Sequence, residues 1–460
     1  MTPSARRESH AGGGGSAASA RPAPSTGAPA LPWDARRTAE RGLVAAAGVL
    51  GVLGLITVHA ALYPAESWDP VVAGAVALAG FLVVHAALVV ADSRGDEVLL
   101  PVAAALSALG LVMIYRLRPD YAVRQAAWIS LGLTSLLIAL GTLADLRWVR
   151  RYAYLCALAG LVLLVLTVLI GVERNGARQW LVIGRFTLEP GEIVKLLLVA
   201  FFAGVLVEAR PLLTLPGPRR WREDLGRLGP LLLVCVGALL LLVFQRDLGL
   251  AMLYYGVFLA MLYVALGRLD YVLAGLVAFA GGAALCYHWF AHVRVRVDVW
   301  LNPWADAAGR GYQILQGLFA LASGGLTGAG LGRGHPELMP ASYTDMIFPA
   351  VGEELGAVGT YMVVALYLLF LGRAFRAAIQ ADGSLDRLAG AGLAAAIGIQ
   401  TFVILAGSTR LIPLTGIPAP FLTYGGSAAV SNFIVVAFLL AISDRGARAA
   451  VDGRDGQAHP

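Results

Sequence analysis

Residues 228–267 read LGPLLLVCVGALLLLVFQRDLGLAMLYYGVFLAMLYVALG. Two apolar runs, 228–244 and 248–267, are separated only by Gln245, Arg246 and Asp247. Each run has about the length of a helix that crosses a hydrocarbon core, which takes about 20 residues. Three polar residues held in mid-bilayer would cost several kcal/mol, so the chain must surface between the runs. The stretch is therefore a pair of membrane spans joined by a tight turn.

Outward from this pair the same pattern recurs. Apolar runs at 42–62, 70–91, 98–115, 125–144, 152–172, 191–208, 270–290, 348–372, 388–408 and 419–443 bring the number of candidate spans to twelve. Composition agrees: 58% of the 460 residues are hydrophobic and 14% charged, against about 25% charged in a soluble domain. Mean hydropathy is +0.74. The expectation is an all-α polytopic membrane protein of about 10–12 transmembrane helices. A soluble Rossmann enzyme, a nucleic-acid-binding domain and a disulfide-stapled secreted module are excluded. Cys156, Cys235 and Cys286 lie in apolar stretches without C-x-x-C spacing and read as small core residues.

Residues 1–38 are rich in Ala, Gly, Ser and Pro, include the run Gly12–Gly15 and read as a disordered cytoplasmic tail. The next division, 39–97, holds two additional spans; 98–445 is the membrane core, and 446–460 a C-terminal tail. With both termini inside, 22 arginines fall on the cytoplasmic side and 12 outside, the bias expected of a plasma-membrane protein in that orientation. Two outer connections then stand out. One is the polar loop 173–190. The other, 291–347, is far longer than a usual structureless loop. Within it Gly311–Gly332 (GYQILQGLFALASGGLTGAGLG) reads as a re-entrant or interfacial helical segment, tolerable where protein or water satisfies its backbone.

The sequence contains no Walker A loop, no H-E-x-x-H and no G-x-S-x-G. The glycines of 324–334 lack the strand and helix that a nucleotide loop needs. His288 and His292, spaced i and i+4, have ligand spacing, but interfacial snorkelling accounts for them. Ionisable residues instead crowd the outer ends of the spans. Arg174, Arg178 and Arg185 lie in the first outer loop; Glu189 and Glu192 flank Pro190-Gly191; Lys195, the one lysine of the chain, follows a turn later. Glu192 and Lys195 have the spacing of a local salt bridge, while arginine forks here suit phosphate oxygens. In the large loop Arg294, Arg296, Asp298, Asp306, Glu337 and Asp345 accumulate. Asp345 immediately precedes a span, where a capping carboxylate is also favoured. Glu353 and Glu354 lie inside that span and need partners; with Asp345 they read as an outward-opening polar cavity.

Five segments carry a resemblance: NGARQWLVIGRFTLEPGEIVKL (175–196), QRDLGLAML (245–253), LNPWADAAGRGYQILQGLFALASGGLTGAGLG (301–332), YTDMIFPAVGEELGAVG (343–359) and TGIPAPFLTYGGSAAVSN (415–432). In order and spacing the chain, from roughly residue 98 to 443, resembles the shape, elongation, division and sporulation (SEDS) family, which contains RodA, FtsW and SpoVE. The run FAHVRVRVDVW with RLIPLTG looks closer to the RodA branch of high-GC Gram-positive bacteria. The resemblance implies an inverting peptidoglycan glycosyltransferase that polymerises lipid II, the undecaprenyl-pyrophosphoryl disaccharide-pentapeptide, at the outer face of the plasma membrane beside a class B penicillin-binding protein. Family members commonly show ten spans, which places the extra pair at the N-terminal side. Asp345 matches the family's essential loop aspartate, Glu192 and Lys195 its charged helix start, and Trp128 a functionally important tryptophan. Three positions depart from the family: Tyr343 stands where His is usual, Gln179 stands before the tryptophan with Arg178 one place earlier, and Gln245-Arg246-Asp247 replaces Gln-Pro-Asp.

Such chemistry needs a base for the acceptor hydroxyl and cations for the departing pyrophosphate. Asp345 is the expected base. Arg178, Arg246, Lys195 and Arg185 are the expected clamp, and Glu192, Trp128, Glu353 and Glu354 the further substrate-binding residues. No spacing demands a metal, with a divalent cation (Mg or Mn) left open. Small and aromatic residues in 416–427 suggest a broken helix start lining a lateral opening for the lipid tail, where helix packing alone is an equal account. The competing readings are a flippase moving the same lipid and a non-catalytic scaffold recruiting the synthase. Whether elongation, division or sporulation is served is open.

Overall fold

The computed structural model describes residues 33–143, 145–174, 177–184, 186–213 and 221–455. The tail through residue 32, Arg185 and residues 456–460 lie outside the described residues. The helices are α1 (Trp33–Leu62), α2 (Asp69–Val90), α3 (Leu99–Leu117), α4 (Pro119–Thr142), α5 (Arg147–Ile170), α6 (Pro190–Leu213), α7 (Trp221–Gln245), α8 (Leu248–Leu266), α9 (Leu269–Trp289), α10 (Ala291–Leu301), α11 (Tyr312–Gly324), α12 (Ile347–Ile379), α13 (Ser384–Ser408) and α14 (Gly426–Asp455). Between α5 and α6, where the sequence suggested only a polar loop, three short strands form an antiparallel sheet: β1 (Val172–Arg174), β2 (Ala177–Ile183) and β3 (Phe186–Leu188), in the order β1-β2-β3.

All twelve apolar runs fall on helices. Eleven of those helices are long and apolar enough to cross a membrane. The remaining one, α6, carries Glu192, Lys195, Glu208 and Arg210 in its 24 residues. At 1.5 Å per residue it is about 36 Å long, more than the hydrocarbon thickness, and it packs among α5, α8 and α13. The tight turn read from 245–247 is present. Asp247 caps α8 by accepting from the Leu250 amide at 2.9 Å, and Gly267, with φ 66°, ends that helix in the left-handed region.

Burial divides the helices. The spans of α3, α13 and α14 are 89%, 78% and 72% buried and form the interior, whereas only 6% of α9 is covered, leaving its apolar side chains to lipid. Small residues set the close approaches: Gly110 faces the Leu422 backbone, and Gly204 of α6 faces Ala153 and the Val149 carbonyl of α5.

Both helical ends extend beyond the sequence reading. Residues 33–38 belong to α1, not to the tail, and residues 446–455 continue α14. Polar bonds, invisible to hydropathy, hold these ends. Arg37 pairs with Glu40 and donates to the Ser93 carbonyl at 2.6 Å; Arg448 pairs with Asp444 and donates to the Asp92 carbonyl at 2.6 Å. The large loop is helical in part, with α10 and α11 joined by a short turn at Pro303–Asp306. Residues 409–425 are irregular, so the last helix starts at Gly426, seven residues later than its apolar run, because Pro418, Pro420 and Phe421 at φ 65° cannot continue a helix there.

Contacts place the sheet, the α7–α8 turn, the large loop and residues 409–425 at one end of the bundle. Arg246 reaches Glu173 at 3.4 Å, Arg296 reaches the Thr415 carbonyl at 2.8 Å, and the Glu189 amide donates to Ser427 at 2.8 Å.

Candidate active site

Asp345 lies on the turn preceding α12 and is part-exposed. The turn is fixed by the Thr344 and Met346 amides, both donating to the Ala341 carbonyl at 3.1 Å, with Ala341 itself at φ 55°. Across from it is Gly416, at φ 81°; a Cβ placed there would lie 3.6 Å from Asp345 Oδ2. Burial pushes the Asp345 carboxyl up to about 6, partly offset by the Arg296 guanidinium and a bond from Thr344. Arg296 sits on α10 and is anchored by donating to the Leu414 and Thr415 carbonyls at 3.1 and 2.8 Å. Its field also reaches Asp247, likewise pushed up to about 6 by burial. Asp247 Oδ2 is buried without a partner. Glu189 is held well above the carboxylate range by burial and then by the fields of Glu192 and Asp247, and Asp345 adds to that effect. Three acidic groups from three connections thus act on one another, and two of them, Asp247 and Asp345, lie in the field of one arginine.

Beneath them lies a closed polar clamp. Lys195 Nζ donates to Glu192 Oε2 at 2.6 Å, Gln400 Oε1 at 2.8 Å and Asn432 Oδ1 at 2.9 Å. Gln400 returns its amide to Glu192 Oε1 at 3.0 Å and to the Pro418 carbonyl at 2.9 Å. Lys195 is 1% exposed and Glu192 0%. All three ammonium donors are therefore used within the protein. The i, i+3 pair read from the sequence is made, but as the centre of a knot joining α6, α13 and α14 under the site.

At the mouth, Arg178 on β2 donates to the Val168 carbonyl at 3.3 Å and lies 4.0 Å from Glu173. Arg246, at φ 63°, reaches the same carboxylate at 3.4 Å. Both arginines are about half exposed. Trp128 packs its ring on Gly426, where any Cβ would overlap it.

Glu353 and Glu354 are brought to a different place. Glu354 Oε1 accepts from Arg116 Nε at 2.8 Å and Oε2 from the Gly332 amide at 3.1 Å, and Glu353 accepts from the His335 amide at 2.7 Å. Gly356 breaks α12 at φ 67°, ψ −163°. The glycine loop inserts at the break: the Ala357 and Val358 amides donate to the Gly325 and Leu326 carbonyls. The two glutamates hold this loop rather than line a cavity with Asp345.

Sequence reasoning did not single out Arg296, Asp247, Gln400 or Asn432 for the site. Gln400 and Asn432 are 205 and 237 positions from Lys195, so only the fold shows their pairing. Asp247 carried a legible cue, as the one acid of a three-residue turn between apolar runs.

The family model for cell cycle proteins that groups FtsW, RodA and SpoVE matches residues 96–447. The chain is 40% identical over 433 residues to the peptidoglycan glycosyltransferase RodA of Mycobacterium bovis, covering 91% of this chain and 92% of that one. It is 32% identical to the stage V sporulation protein E of Bacillus subtilis, covering 76% and 96%. Among solved structures it is similar to a chain of a peptidoglycan synthase complex described as coordinating polymerization and crosslinking (TM-score 0.65, 29% identity, 76% of this chain and 98% of that chain). It is also similar to Thermus thermophilus RodA (TM-score 0.56, 28% identity, 76% and 97%). A match over most of the chain, with an all-helical membrane fold and the signature segments gathered at one end of the bundle, makes this protein a member of the FtsW/RodA/SpoVE family.

Proposed function

We propose that this chain is a peptidoglycan glycosyltransferase that polymerises lipid II, with Asp345 as the base. The reading is carried by Asp345 itself: a part-exposed carboxylate with its pKa pushed up to about 6, beside Gly416 and within the field of Arg296. Such a group is ionised at neutral pH yet basic enough to accept a proton.

The chemistry follows. The acceptor sugar hydroxyl gives its proton to Asp345 while its oxygen bonds to the donor's anomeric carbon. The bond from that carbon to the pyrophosphate oxygen breaks, and the electron pair leaves with undecaprenyl pyrophosphate. A single displacement inverts the anomeric centre and needs no covalent enzyme intermediate. Arg178 and Arg246, exposed at the mouth, are placed to meet the leaving diphosphate. Lys195 and Glu192 act from below by fixing α6, α13 and α14, and Trp128 seats the start of α14.

The arginine bias supports cytoplasmic termini, which puts this end of the bundle outside the plasma membrane, where lipid-linked sugars are polymerised. Residues 98–445 form the catalytic core, and the two helices within 33–97 are an N-terminal addition. The solved complex supports a class B penicillin-binding protein as partner. The test is purified protein with lipid II in detergent, read on a gel for glycan strands. Wild type makes strands and Asp345→Asn loses about 10² to 10⁴ in rate. Equal yields from both would remove Asp345 from the mechanism, and lipid translocation without strand formation would favour a flippase.

A further inference from the structure

Two residues before Asp345, Tyr343 meets two tyrosines from distant segments. Tyr121 from the first turn of α4 stacks on Tyr424 with ring centroids 4.7 Å apart and planes 19° from parallel. Tyr343 stands edge-on to both, at 5.3 Å and 68° from Tyr121 and at 6.2 Å and 70° from Tyr424. Arg118 lies 5.8 Å from the Tyr343 ring centre and Arg124 5.8 Å from that of Tyr121. All three rings are part-exposed and both arginines exposed.

The group is rigid. Tyr121, Gln125 and Trp128 have i, i+4, i+7 spacing and share one face of α4. Gln125 donates to the Thr423 carbonyl at 3.4 Å and accepts from the Gly425 amide at 3.3 Å. The Tyr424 amide donates to the Tyr343 carbonyl at 3.1 Å. Three segments are therefore braced against one another, with their rings already placed.

Core packing does not account for this arrangement. The core tyrosines Tyr254 and Tyr367 are each 2% exposed, with hydroxyls satisfied by the Gly191 and Pro420 carbonyls at 2.6 Å. The three here keep open surface and cations at their rim. Nor is it a belt spread around the membrane interface, since three remote segments deliver their rings to one spot beside the base. A part-exposed aromatic surface of fixed geometry, edged by guanidinium donors, matches a pyranose. The sugar's C–H face lies on the ring by dispersion and weak C–H contacts, and its equatorial hydroxyls meet the donors.

We propose that Tyr121, Tyr343 and Tyr424, with Arg118 and Arg124, form a saccharide subsite that holds the glycan beside Asp345. The inference rests on the glycosyltransferase reading and divides the site in two: Arg178 and Arg246 on the sheet side for the diphosphate, the tyrosines on the α4 side for sugar. The segment 343–345 joins the halves, so a sugar seated on Tyr343 is within reach of the base.

The test uses the full chain in detergent and the lipid-free tetrasaccharide (GlcNAc-MurNAc)₂, titrated by calorimetry. Wild type binds it; Tyr121→Leu binds about tenfold more weakly, the loss of one ring's worth of contact; Tyr121→Phe, which keeps the ring, stays near wild type. Asp345→Asn binds like wild type. No binding by wild type, equal binding by Tyr121→Leu, or a loss in Tyr121→Phe as large as in Tyr121→Leu would overturn the subsite. Asp345→Asn separates the two readings: full strand synthesis by that variant would remove the base and leave the binding result standing.

Discussion

At the scale of single residues, the site turns on how Arg296 sets the ionisation of Asp345. Burial raises that carboxyl to about 6 and Arg296 restrains the rise. On the proposed mechanism Asp345 acts only when deprotonated, so kcat/KM should fall on the acid side with a limb near pH 6. Arg296→Gln removes the restraint, so the limb moves to higher pH, and Arg296→Lys restores part of it; a pH profile that does not shift in Arg296→Gln refutes the coupling. The same pKa has a stability consequence of opposite sign to that of a salt-bridged acid. The folded protein keeps the Asp345 proton up to about 6, whereas the ordinary value is 3.8. Its contribution is full below the lower value and lost as pH rises through the upper one. Asp345→Asn therefore melts above wild type at pH 7.5, and the gap closes toward pH 4. A gap that widens on acidification would mean that the carboxylate is stabilised, not strained, by its surroundings. Asp345 was legible because it stands in a dense local motif. Arg296 was visible only as one charge among several in a long loop, since the carbonyls that aim it belong to Leu414 and Thr415, 118 and 119 positions away.

At the scale of elements, two helices are interrupted or pinned by chemistry that hydropathy cannot register. In α6 the Lys195 knot is buried, so removing one partner leaves a charge stranded. Lys195→Met should cost about 3 to 5 kcal/mol, and Glu192→Gln combined with it should cost less than the sum of the two, because the second change removes the stranded acid. Thermal unfolding in detergent reads both, and strict additivity would show that the pair is not coupled. In α12 the apolar run 348–372 reads as one uninterrupted span, yet Gly356 breaks it so that the glycine loop can bond into the gap. A Cβ at 356 would overlap the Gly328 amide and the Leu326 carbonyl. Gly356→Ala should cost about 1 to 3 kcal/mol from the backbone angle alone and release the loop. Hydrogen exchange would then quicken at Ala357, Val358 and Gly330; unchanged protection would mean the loop is held by Arg116 and Glu354 without the break. The apolar spans were legible because each helix displays its own run of side chains. The break, the glutamate anchors and the sheet were not, because each depends on a partner segment brought in by the fold.

At the scale of the whole molecule, contacts sort the connections into two ends. One joins Arg116 with Glu337 and Glu354, Arg246 with Glu173, and Arg296 with Thr415. The other joins Arg37 with Ser93, Arg373 with Asp96, and Arg445 with Asp386. This division alternates along the chain as twelve crossings require, with α6 counted among them. The chemistry proposed here has its substrate only if the first end faces outward. With Cys156, Cys235 and Cys286 replaced by alanine, a single cysteine at Leu326, which is 77% exposed in the glycine loop, should react with a membrane-impermeant maleimide in intact cells. One at Ser384, exposed at the start of α13, should react only after permeabilisation. The reverse pattern would put Asp345 in the cytosol and leave the arginine bias without its usual meaning. Labelling of both in intact cells would mean an even number of crossings between them, and α12 and its broken start would have to be redrawn as something other than one span.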